Sequence, residues 1–306
     1  MADQIIYSLD RFSSVHVDTE KQQVRGQDFI TSLRDALPTW RAKGHRGVWV
    51  TVQKELSACI PQLIELGFDY HHAEPGYAML TIWLPETLPN NLPAYANHYL
   101  GVAGFVVNEK NQVLVVRERY HNTNLRSPWK LPGGHADRGE EISTTAEREV
   151  FEETGVKSEF VCVIAFRHLH NYRFGLSDFY FVCLMRSLSS EIKACPNEIA
   201  ECEWMDLEDY ENYEKISDVN RFFVQQYREI VASGNAITPH DVRSYDRISW
   251  NKVYSADRLV EQDRDGQPAV SSVVSSALPP SAASDSSTAE GNQVLQQEKG
   301  EEEGSI

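Results

Sequence analysis

Residues 134–156 read GHADRGEEISTTAEREVFEETGV. Glu140, Arg148, Glu149, Glu152 and Glu153 stand there at fixed offsets between Gly134 and Gly155. On a helix, Glu149, Glu152 and Glu153 fall within an arc of about 100°. Like charges three and four residues apart weaken a helix by a few tenths of a kcal/mol per pair. Either this is a solvated acidic face, or a cation relieves the repulsion. Carboxylate oxygens suit hard ions such as Mg²⁺ or Mn²⁺, and Mg²⁺ commonly combines few protein ligands with substrate phosphates. Arg148 lies one turn before Glu152 and can orient that carboxylate or Glu149. Upstream, Pro132-Gly133-Gly134 makes a tight loop that lets backbone approach a ligand closely.

The elements around this stretch must hold it in place. From Ser143 to Thr154 the chain has good helix formers and no Pro or Gly. Thr144 with Glu147 fits a capping box, with Glu141 as an alternative start, and Gly155 suits a left-handed cap. Val150 and Phe151 point away from the carboxylates, toward a sheet. Before it, YLGVAGFVVNEKNQVLVVRER (99–119) reads as a hairpin. After it, VCVIAFRHLH and DFYFVCLM read as strands around NYRFGLS, EIAECEWM as another strand, and VNRFFVQQYREIVASG as an amphipathic helix. In the first hundred residues GVWVTV is a strand, KELSACIPQLIELG a helix closing on Gly67, and FDYHHAEPGYAMLTIWL two strands about AEPG. LPETLPNNLPAY (84–95) reads as a linker. The expected organisation is a small α+β domain over 1–92, a second domain over 93–235, and a polar acidic tail over 236–306.

Composition bounds the rest. Apolar residues make up 41% of 306, enough for a core over most of the length. From Ala256 onward ten Asp/Glu face three Lys/Arg, a net of −7 out of the chain's −16. With so little apolar surface the tail cannot offset its ordering entropy and is expected to be disordered. The net charge argues against nucleic-acid binding, which needs a basic face. It does not exclude a small anionic substrate. No run reaches the roughly 18 apolar residues of a membrane span, and no membrane partner is expected. Cys59, Cys162, Cys183, Cys195 and Cys202 form no CxxC pair and read as reduced thiols. With no secretory signal at the N-terminus, a cytoplasmic location is expected, with nucleus and mitochondrion left open.

Taken together, Gly134, Glu140, Arg148, Glu149, Val150, Glu152, Glu153, Gly155 and Val156 resemble the Nudix hydrolase signature, G-x5-E-x7-R-E-U-x-E-E-x-G-U with U a bulky aliphatic residue. All nine constrained positions match. The resemblance implies an α/β/α sandwich with a mixed sheet, here preceded by the α+β domain and followed by the tail. It implies hydrolysis of a nucleoside diphosphate linked to another moiety, with Mg²⁺ or Mn²⁺ as cofactor. Glu149, Glu152 and Glu153 match the metal-ligand positions, Glu152 the central one, and Glu140 a weaker ligand. Glu152, Glu149 and Arg148 are the catalytic expectation, joined by Glu198 as general base. Glu201 is the rival base. Strand alternation sends 198 and 201 to opposite faces, so one serves at most.

A wider stretch, residues 25–235, resembles one Nudix subgroup. It holds plant ADP-ribose/NADH pyrophosphatases and the vertebrate protein encoded antisense to basic fibroblast growth factor. In that subgroup the N-terminal unit is acetyltransferase-like, although no Gly-rich acetyl-CoA loop is present. ADP-ribose or NADH is the implied substrate, bound by Gly133, Gly134, Arg117 and Trp129. Arg167 and Lys130 are further phosphate candidates, and Tyr172 and Phe174 further stacking candidates. The implied partner is a small nucleotide-type molecule, with a homodimer left open. The alternative is a poorly active Nudix module acting as a regulatory or protein-binding protein.

Overall fold

The computed structural model describes residues 5–119, 127–259, 261–262 and 268–269. By their contacts the residues divide into two units, 1–99 with 171–177, and 100–170 with 178–306.

The first unit begins with β1 (Ser8–Leu9) and β2 (Val15–Asp18), then α1 (Gly26–Ala42) and β3 (Gly47–Gln53). α2 (Ile60–Glu65), β4 (Asp69–Glu74) and β5 (Tyr77–Trp83) follow. Among the described residues they form a five-stranded sheet in the order β1-β2-β3-β5-β4. β2 and β3 run parallel, Val15 beside Val48, because α1 supplies the crossover that a parallel pair needs. β3 and β5 pair antiparallel, so the sheet is mixed. Alternation in β2 and β3 puts Val15, Val17, Val48, Val50 and Val52 on one face, against Phe29, Ile30, Leu33 and Trp40 of α1. Those α1 positions carry a helical apolar stripe that the sequence reading passed over. The helix expected over 54–67 is broken: residues 54–59 are a 3-10 turn and only Ile60–Glu65 is α-helical. Pro61 is the cause, since it is tolerated only in a helix's first turn.

The second unit is built on β6 (His98–Val107), β7 (Gln112–Glu118), β8 (Gly133–His135), α3 (Ile142–Thr154), β9 (Ser158–Arg173) and β10 (Leu176–Ser187). β11 (Ile199–Asp206), α4 (Leu207–Asn212), α5 (Asp218–Ser233), β12 (Asn235–Arg243) and β13 (Trp250–Arg258) complete it. The sheet order is β11-β7-β6-β10-β9-β12-β13, with β8 against β6. Two cores flank it. Val102, Val106, Leu114, Cys183 and Met185 pack on Ala146 and Val150 of α3. Ala103, Phe105, Val115, Val182 and Leu184 pack on Phe223, Val224, Tyr227 and Ile230 of α5. The result is helix on sheet on helix.

Two expectations about this unit change. β9 and β10 extend into the expected loop 171–177 and leave only Phe174-Gly175 as the turn, with φ values of +52° and +74°. The polar tail does not begin at 236. β12 and β13 pair in continuous register from Asn235–Arg258 to Arg243–Trp250, and Ile237 extends the sheet beside Val163. An edge hairpin can form with few apolar residues because its backbone pairing supplies the hydrogen bonds. Beyond Leu259, apart from the short strands β14 (Glu261–Gln262) and β15 (Pro268–Ala269), the tail lies outside the described residues.

Candidate active site

α3 starts at Ile142 with Glu141 in the cap position, one turn before the Thr144–Glu147 box. Thr145 explains the shift. Its hydroxyl donates to Glu140 Oε2 at 2.9 Å and to the Glu141 carbonyl at 3.1 Å, tying the entry loop to the first turn. The helix ends on Gly155 at φ +71°, whose N–H donates to the Phe151 carbonyl. The buried stripe is Thr145, Ala146, Val150, Glu153 and Thr154. Phe151 lies one step round and is 50% exposed, so it does not pack on the sheet as expected.

Arg148 gathers the carboxylates. Its Nε and Nη2 donate to the two oxygens of Glu140 at 2.8 and 2.9 Å, a two-pronged pair. Its Nη1 donates to Glu149 at 2.9 Å and Glu152 at 3.0 Å, and Nη2 also reaches the His135 carbonyl at 3.0 Å. One guanidinium thus orients three acidic side chains from the loop and the helix. The glycines bring the loop close. A Cβ on Gly134 would lie 2.6 Å from the Glu149 carboxylate. A Cβ on Gly133 would meet the backbone of Val102 and Ala103. The Gly133 N–H donates to Glu153 Oε2 at 2.9 Å.

The electrostatics differ from one glutamate to the next. Hydrogen bonds from Arg148 hold Glu140 well below the usual range, at about 2, and its partners hold Arg148 cationic. Burial pushes Glu149 up, against the pull of Arg148, and the charges of Glu152 and Glu198 push the same way. Glu153 is pushed up to about 7, first by burial, despite Lys130 and the Gly133 N–H. Glu152, with 55% of its side chain exposed, faces water. Lys130 bridges Glu118 at 2.6 Å and Glu153 at 3.8 Å. Glu118 was missed by the sequence reading. Alternation on β7 was the available signal: Val113 and Val115 face α5, so Arg117 does too, and Glu118 turns to the α3 side.

Burial overturns two expected substrate contacts. Trp129 is 5% exposed in the core beneath α5, and Arg117 is 4% exposed. The Arg117 guanidinium stacks 4.0 Å from the Trp129 ring centroid and donates to the Tyr213 hydroxyl at 2.9 Å. Neither is a surface group for a base or a phosphate. Phe174 is 91% exposed at the β9–β10 turn, and Arg167 pairs with buried Asp178 at 3.1 Å. Glu198 and Glu201 separate as well. The register slips between Ile199 and Glu201, and Glu201 sits 3.6 Å from Arg117 on the α5 side. Glu198 precedes β11, where its charge acts on Glu149.

Among the described residues no three His, Cys, Asp or Glu side chains are already set around one point as a metal site. The donor chemistry nevertheless fits a hard divalent cation. Glu149, Glu152 and Glu153 offer carboxylate oxygens from one helix, and two of them are pushed toward protonation by burial, the condition a bound cation relieves.

The sequence profile described as "NUDIX domain" matches residues 97–227, and that described as "Nudix hydrolase domain" matches 6–84. "Nucleoside diphosphate-linked moiety X motif 6" of Homo sapiens is 40% identical over 232 residues, 72% of each chain. The chain belongs to the Nudix hydrolase family. "Nudix hydrolase 2" of Arabidopsis thaliana is 41% identical over 199 residues, 65% of this chain and 68% of its own. "Nudix hydrolase 8" of the same plant is 47% identical over 201 residues, 66% of this chain, and the match spans 54% of its length. The Arg148 cluster thus lies inside the stretch that marks this chain as a Nudix protein. No helix among the described residues is long and apolar enough to cross a membrane.

Proposed function

We propose that the chain hydrolyses the pyrophosphate bond of a nucleoside diphosphate linked to another moiety, with ADP-ribose or NADH as the first candidates. The observation that supports this reading is the grip of Arg148 on Glu140, Glu149 and Glu152, with Gly134 packed against the Glu149 carboxylate and the Gly133 N–H donating to Glu153. A solvated acidic face has no use for a loop drawn so close to it. Glu149, Glu152 and Glu153 would hold Mg²⁺ or Mn²⁺, with Glu140 in support. When bound, the cation neutralises phosphate oxygens and makes phosphorus easier to attack. Arg148 fixes the carboxylates before substrate arrives, so little reorganisation is left for the reaction. Glu198, whose charge acts on Glu149, would orient an attacking water and accept its proton. The substrate names rest on subgroup resemblance, since a fold hosts many substrates.

The test is a turnover screen of ADP-ribose, NADH, CoA, FAD and dinucleoside polyphosphates with Mg²⁺ and with Mn²⁺. Metal-dependent release of two monophosphates from ADP-ribose is expected, and Glu152→Gln should lower it at least about a hundredfold. Equal behaviour of the two proteins on every compound would replace the hydrolase by the regulatory-module reading.

A further inference from the structure

The first unit's sheet has a second face that α1 and α2 do not use. Val48 and Val50 point into the core, so Trp49 points the other way, as does its register partner His16. Their rings are parallel, 5.8 Å apart at 1°. Trp49 meets His71 of β4 edge-on at 4.8 Å. Trp83, at the end of β5, alternates with the buried Leu80 and Leu84 and joins the same face. The chain after β5 folds back over this face. The Trp83 indole N–H donates to the Leu88 carbonyl at 3.1 Å, and His71 Nε2 hydrogen-bonds the Pro93 carbonyl at 2.8 Å.

Between that segment and the strands lies a cleft of about 460 Å³, lined among others by Asp10, His16, Arg46, Trp49, Trp83 and Leu92. This is within the range of small-molecule sites, toward the lower end. Its rim is preorganised. Asp10 Oδ1 accepts the N–H groups of Phe12 and Ser14, each at 2.8 Å, and Oδ2 lies 3.2 Å from His16 Nε2. Asp10 therefore fixes both the loop, where Ser13 holds φ +61°, and the ring stacked on Trp49. Asp10 is engaged by His16 and by the Phe12 and Ser14 N–H groups, while Arg46 is exposed and its guanidinium has no hydrogen-bond or ion-pair partner among the described residues. Two indole faces and one unpaired guanidinium recognise a flat aromatic ring that carries a negative group.

We propose that this cleft is a second ligand site, built wholly from the first unit, for a planar aromatic anion of mononucleotide size that stacks on Trp49 or Trp83 and places its anion on Arg46. A nucleotide phosphate and an aromatic carboxylate share that chemistry. The full chain carrying Glu152→Gln, in EDTA so that the α3 glutamates hold no cation, is titrated by calorimetry with AMP, 2-naphthoate, adenosine and inorganic phosphate. Saturable binding of AMP or of 2-naphthoate is expected, and which of the two binds identifies the anion. Adenosine and inorganic phosphate should each bind at least about tenfold more weakly, because each lacks one half of the recognition. Adding Arg46→Gln should weaken the bound anion at least about tenfold with the melting temperature unchanged, since Arg46 is exposed and unpartnered. Binding of whichever anion the parent takes should be lost in Trp49→Leu,Trp83→Leu while far-ultraviolet circular dichroism is retained. The proposal is overturned if neither anion binds, if AMP binds and adenosine matches it, or if Arg46→Gln binds the anion as the parent does. None of these readouts needs turnover at α3, so the result stands apart from the hydrolase reading.

Discussion

Glu149, Glu152 and Glu153 are neighbours on one helix yet do different work because their surroundings differ. Glu152 is exposed, so the Glu152→Gln change that lowers metal-dependent turnover should move the melting temperature by no more than about a degree or two. Glu153 is buried, and its raised pKa has a stability consequence. A carboxyl raised in the folded state lends stability that is complete below its unfolded value near 4.5 and lost as pH rises through about 7. In chelator, the melting temperature should therefore fall from pH 5 to pH 8, a contribution of up to about 3 kcal/mol. Glu153→Gln should flatten that fall, and saturating Mg²⁺ should reduce it in the parent; a flat parent profile would contradict the assignment. The two glycines separate function from folding in the same way. Gly134→Ala pushes on a movable carboxylate, so activity should drop while the fold survives. Gly133→Ala pushes on the backbone of β6, so circular dichroism and yield should suffer first.

Among the elements, β7 best shows why site residues were misassigned. Its residues pair with β11 and alternate between the α3 and α5 faces, so Arg117 is buried on one side while its neighbour Glu118 is exposed on the other. Trp129→Ala should behave as a core deletion costing about 3–5 kcal/mol, with KM for any surviving activity little changed. A large rise in KM at unchanged stability would return Trp129 to the substrate. The β12–β13 hairpin covers the open edge of β9 at Ile237. Ending the chain after Gly234 should lower the melting temperature and promote association through the freed edge. Ending it after Leu259 should leave the melting temperature of the body where it is.

Across the whole molecule, charge acts at longer range than any contact. A chain of net −16 repels an anionic nucleotide, so kcat/KM at low ionic strength should rise as salt is added up to about 0.15 M, where screening acts within about 8 Å. Removing the residues after Leu259 should make the response shallower; a steeper response would rule this out. The acidic residues of α3 were legible from their spacing alone, because a helix repeats every 3.6 residues whatever surrounds it, and Gly155 marked its end. α5 was legible for the same local reason, and the β4–β5, β6–β7 and β9–β10 hairpins from apolar runs about turn residues, whereas the polar β12–β13 hairpin was read as tail. α1 was passed over although its stripe is written in Phe29, Ile30, Leu33 and Trp40, and Pro61 cut α2 short of its pattern. The sequence by itself determined the carboxylates, the arginine among them and the helix that presents them. Only the tertiary structure decided that Arg148 would hold three of those carboxylates, that Glu153 would be desolvated, and that Arg117 and Trp129 would be core. Burial and partner choice depend on which sheet face a strand residue meets, and that is fixed by pairing and register between segments far apart in the chain.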